Sequence, residues 1–171
     1  MPSTPDTDAT RDALRRILVR DLEALRRELR AYPDERLLWA APSGVPNSAG
    51  TLALHLCGNL RHFVGAQLGR TGYVRDRDAE FADRDVPLAE LERAIDGTRA
   101  DIEATLRGGA IDLDAEYPLE VAGVRLSTRT FLFHLVSHLA YHLGQIDYHR
   151  RLVTGGSEGV GAVAIPPLAG R

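Results

Sequence analysis

Residues 127–154 constrain the fold of this chain more than any other stretch. They read as one long helix, capped by Ser127 or Thr128 and closed before Gly155 and Gly156. Leu132, Leu135, Val136, Leu139, Leu143 and Ile146 make it strongly apolar, yet it also carries His134, His138, His142, Gln145 and His149. At roughly 100° of turn per residue, the last four fall at roughly 40°, 80°, 20° and 60° from His134, so all five share one narrow stripe. Burying unpaired polar groups is costly, and such a stripe requires partners from a facing element.

A second helix, over 47–68, supplies a matching stripe. Asn47 and Ser48 are good capping residues, Leu52, Leu56, Leu60, Phe63 and Val64 form its apolar face, and Gly69 and Gly72 close it. His55, Asn59 and His62 stand at i, i+4 and i+7, on one face. Two neutral imidazoles four residues apart on a helix, such as His138 and His142, can grip one divalent cation. A third from a facing helix, such as His55, gives a three-histidine site with an open position, the style of a catalytic metal. Cys57 stands two residues from His55 and so points to roughly the opposite side; it reads as a small buried residue, not a ligand. Spacing alone leaves the matter level, because six histidines on two helices also suit hydrogen-bonded core and surface positions. His62 and His149 read that way.

Two further amphipathic segments complete the helical pattern. Over 7–31, Leu14, Ile17, Leu18, Leu22, Leu25 and Leu29 recur at three and four, and Tyr32, Pro33 and Asp34 end the run. A loop with one short turn leads to Pro46. Another helix begins near Pro87, uses Leu88, Leu91, Ile95, Ile102 and Leu106, and ends at Gly108 and Gly109. Residues 73–85 read as a solvated charged loop, and 110–127 as a small hairpin or extended loop turning at Ala122 and Gly123. Residues 155–171 are rich in Gly, Ala and Pro and read as a mobile or draped tail. Four helices with one or two long connections predict an all-α four-helix bundle, a single domain over 1–171 with its core at about 7–154.

Composition narrows the function classes. A net charge of -3 argues against bulk nucleic-acid binding. No apolar run reaches membrane-spanning length, and residues 1–20 lack a signal-peptide core, so a cytoplasmic protein is expected. A lone cysteine excludes an intrachain disulfide. All 21 basic residues are arginine, which removes Schiff-base chemistry and the lysine of a phosphate loop. His138-x-x-x-His142 has zincin spacing but Leu139 stands where that class has its glutamate, so the protease general base is missing. The glycine-rich run 155–161 follows a helix and opens none, unlike a nucleotide loop.

Asn47 and Ser48, then Leu54, His55, Gly58 and Asn59, and much later His138-x-x-x-His142-x-Gly144-Gln145, resemble the DinB-like superfamily over residues 10–154. The resemblance implies a metal-binding four-helix bundle with His55, His138 and His142 as ligands, zinc or nickel as the metal, and a homodimer. Its relatives include thiol-dependent S-transferases and isomerases. The expected activity is activation of a low-molecular-weight thiol, or of water, for transfer or hydrolysis; the alternative is a metal-binding or stress-response protein without turnover. Asn59, His134 and Gln145 are expected to orient ligands or substrate, and Arg75 or Arg77 could meet a substrate carboxylate from the charged loop.

Overall fold

The computed structural model describes residues 5–107 and 111–169. Among these the chain is all-helical, with five α-helices and no strand. They are α1 (Pro5–Arg30), α2 (Ala49–Leu60), α3 (Arg77–Ala82), α4 (Leu88–Arg107) and α5 (Thr128–Thr154). α1 packs on α4 and α5, and α2 packs on α3, α4 and α5.

The periodic leucines explain this packing. Leu14, Leu18, Leu22, Leu25 and Leu29 of α1 are all buried, and Leu91, Ile95, Ile102 and Leu106 of α4 meet them in one core with Leu132, Leu135, Leu139, Leu143 and Ile146 of α5. Each such side chain withdrawn from water contributes about 1.5–3 kcal/mol. Polar pairs such as Arg15 with Glu103 and Arg99 with Glu23 flank the seam between α1 and α4. Being part-exposed, they add little. α2 is buried nearly all round. Such a helix can face partners on several sides, and this one carries His55.

Capping follows local chemistry. Ser48 accepts from the Thr51 amide at 3.1 Å and Ser127 from the Thr130 amide at 3.2 Å, starting α2 and α5. Gly155, at φ 70°, supplies the left-handed residue that ends α5.

Two features differ from the sequence reading. The second helix is α-helical only to Leu60, and Arg61–Ala66 forms a π-helical turn in which the Gln67 amide reaches back to the His62 carbonyl. There Gly65 and Gly69 come against Asp101 and Thr105 of α4 so closely that a Cβ on either would clash or nearly clash. The charged stretch 73–85 contains α3, which Asp76 caps by accepting from the Ala79 amide. Between α4 and α5 lies, as expected, an extended excursion with isolated antiparallel bridges, Glu116 to Ser127 and Val121 to Val124, around a turn at Ala122 and Gly123 (φ 52° and 78°). The expected helix end at Gly108 and Gly109 lies outside the described residues.

The tail is draped along α1. Arg27 donates to the carbonyls of Val160 and Gly161, Arg16 to that of Ala169, and Arg150 to that of Glu158. Arg150 is itself buried and bonded to the buried Glu28 at 2.6 Å.

Candidate metal centre

α2 and α5 face each other and bring together three of the six histidines. Nε2 of His55 lies 3.3 Å from Nε2 of His138, which lies 3.1 Å from Nε2 of His142. The ligand atoms of the three all fall within 4.8 Å of one another. His55 is buried, and His138 and His142 are half-buried.

The second ring nitrogens set the tautomers. His55 Nδ1 donates to Glu80 Oε2 at 3.0 Å, and His142 Nδ1 donates to Gln145 Oε1 at 2.6 Å. Arg75 Nη2 comes within 3.4 Å of the same His55 nitrogen, but both are donors there, and the shorter bond to the carboxylate decides. Both rings therefore turn an Nε2 lone pair toward His138. His138 Nδ1 is buried without a partner.

This donor set fits a divalent cation. Zinc–imidazole bonds of about 2.0–2.1 Å at a tetrahedral angle put two ligand nitrogens about 3.3 Å apart, close to the two short separations here. Burial, together with the neighbouring His142 and His55, lowers the His138 pKa to about 4, and burial also lowers that of His142. Both stay neutral at pH 7, the form that binds metal.

Glu80 is the main residue the sequence reading missed. The charged loop was read as solvated, yet this side chain is only 6% exposed and touches His55 directly. Its carboxylate takes two bonds from Arg75, at 2.6 and 2.7 Å, besides that from His55. Burial raises its pKa, but Arg75 and His55 more than offset this and hold it below the ordinary carboxyl value. Gly58 makes room: a Cβ there would lie 2.0 Å from Glu80 Oε1. The only available signal was Asp76 as a helix cap; a six-residue helix carries too little periodicity to be recognised.

The remaining expectations divide. Gln145 touches His142 directly. Asn59 is buried one turn beyond His55, has no bond to the three histidines, and leaves its Oδ1 without a partner. His134 is exposed and meets His138 only ring to ring, at 6.1 Å. Arg75 is engaged by Glu80, and Arg77 lies over the Phe81 ring, which in turn packs on His55. His62 packs edge-on against Phe63. His149 is buried away from the cluster, between the Tyr32 hydroxyl at 2.8 Å and the Ala40 carbonyl at 2.9 Å. Cys57 faces Thr98 of α4, and burial raises its thiol to about 11.

An all-helical chain with three histidines gathered between facing helices, two of them four residues apart, has the build of the DinB-like class. Within that superfamily the chain belongs to the mycothiol S-transferase family, whose model matches residues 13–155. No curated protein and no solved structure matches the chain.

Proposed function

We propose that the protein is a metal-dependent S-transferase in which His55, His138 and His142 hold one zinc or nickel ion and mycothiol is the thiol substrate. The family supports the thiol and the transfer; the single observation that carries the metal is the convergence of three imidazole Nε2 atoms at metal-ligand spacing. In this reading α1, α2, α4 and α5 form a DinB-like four-helix bundle, residues 1–171 are one domain, and the protein works as a cytoplasmic homodimer.

A cation held by His55, His138 and His142 would supply Lewis acidity, which favours the thiolate form of a small thiol at neutral pH. The chain's own residues supply the frame. Glu80 and Arg75 lock the His55 ring so that its Nε2 points inward, and Gln145 does the same for His142. Phe81, tilted on His55 at 4.9 Å between ring centroids, limits the ring's motion and covers it from water. Cys57, buried and protonated, takes no part, so the sulfur must come from a small molecule.

Metal analysis of protein purified without a nickel column tests the site. Wild type should carry close to one divalent ion per chain and His142→Ala far less; equal, near-zero contents would end the proposal. Coupling of mycothiol to a generic electrophile should then stop on chelation and return with added metal. No metal-dependent acceleration by any small thiol would leave a metal protein without this chemistry.

A further inference from the structure

A cavity of about 340 Å³ opens between the start of α2, the loop before it and the second half of α5. Val45, Pro46, Leu52, Tyr148 and Leu152 wall it, and among the described residues no charged side chain lines it. It is within the size range of small-molecule sites, which are largely apolar with a few placed polar groups.

The cavity is linked to the three histidines through Gln145. Gln145 lines it and also accepts from His142 Nδ1, and Leu52 stands one helical turn before His55. Because the Gln145 oxygen is engaged by His142, the amide N–H groups are the part left to meet a ligand. His149 offers only its ring, since both of its nitrogens are bonded to Tyr32 and Ala40. On the His55 side of the cluster, Glu80 is buried and its charge is paired with Arg75.

We infer that this cavity is the acceptor subsite: it takes the apolar body of a neutral electrophile bearing one hydrogen-bond acceptor next to its reactive carbon, with the Gln145 amide meeting that acceptor. The inference rests on the transferase reading for its chemistry. The sulfur lone pair forms the S–C bond, the bond from that carbon to its leaving group breaks with the electron pair going to the leaving group, and the thiol proton passes to solvent. An apolar acceptor then reaches the sulfur from the cavity. Acceptors carrying a carboxylate or phosphate are disfavoured, because burying their charge here finds no cation among the lining residues.

Two measurements on the metal-loaded full chain test this. The first uses α-bromoketones of increasing alkyl length with mycothiol, for wild type, Leu152→Trp and Val45→Trp. In wild type kcat/KM should rise about fourfold per added methylene until the cavity is full. In the filled variants the rise should vanish, with the KM for thiol and the metal content unchanged. The same slope in all three proteins overturns the subsite even if transfer is brisk. The second is equilibrium binding of N-phenyl-1-naphthylamine, followed by its fluorescence, which needs neither thiol nor turnover. Saturable binding at one site per chain, weakened about tenfold or more by Leu152→Trp, supports the cavity even if no transfer is ever found. No binding, or binding untouched by both substitutions in folded protein, overturns it.

Discussion

His55 and His142 are held in contrasting ways. His55 sits on a helix buried nearly all round, and its ring is fixed by Glu80, whose charge Arg75 balances and whose place Gly58 leaves open. His142 lies on the helix that borders the cavity, and its ring is fixed by Gln145, a neutral and exposed side chain. One wall of the centre is therefore built of buried charge over a tight glycine contact, and the other of a single neutral bond near the surface. Breaking a buried ion pair leaves an uncompensated charge, whereas removing an exposed amide leaves a gap that water fills. The rigid wall should govern stability and metal retention together, and the light wall should govern the metal alone.

The largest effect should come from the residue shared by both walls. His138→Ala should abolish bound metal, measured by elemental analysis, with the fold retained by circular dichroism. Next, Glu80→Gln should weaken metal about 10- to 100-fold and lower stability by about 3 kcal/mol in urea unfolding, because Arg75 is left without its counter-ion. Gly58→Ala should act in the same direction, costing about 1–3 kcal/mol, since its new Cβ displaces the Glu80 carboxylate. At the lower end, Gln145→Ala should weaken metal about tenfold while stability moves by no more than about 0.5 kcal/mol. If Gln145→Ala proved as destabilising as Glu80→Gln, the two walls would not differ as described.

Acid provides the gentlest probe. The folded chain holds His138 at a pKa of about 4, below its ordinary value of 6.5, with burial as the main cause. Between those values the unfolded chain binds a proton that the folded chain refuses, so the stabilising contribution is present above about pH 6.5 and is lost as pH falls toward 4. The Tm of chelated protein should drop through that window, and His138→Phe should flatten the slope. A Tm that rises on acidification would contradict a buried neutral His138.

How much of this could be read from the sequence depended on whether a feature was periodic. α1, α4 and α5 repeat their leucines over many turns, so one face stands out whatever packs on it. The shared stripe on α5 likewise holds in part: His138, His142 and Gln145 do converge. His149, on the same stripe but read as a hydrogen-bonding residue, is one: it lies so far along the helix that other elements, Tyr32 and Ala40, reach it first. Glu80 was illegible for the opposite reason. It lies in a short helix among many charges, and nothing local separates a carboxylate that folds inward from its solvated neighbours. Only the vacancy at Gly58, a contact between residues far apart in the chain, selects it.

The π-helical turn at Arg61–Ala66 carries one last consequence. It holds one residue more per turn than an α-helix would, so a single-residue deletion there can be absorbed by tightening the helix to ordinary pitch. His55 lies upstream and would keep its phase, and because the tightened turn takes up the missing residue, the segment beyond Gln67 would keep its place as well. A change of one residue in this short segment can thus leave in place both the histidine and the Arg75 and Glu80 brace that serves it, a point at which the chain can vary in length while the centre stays fixed.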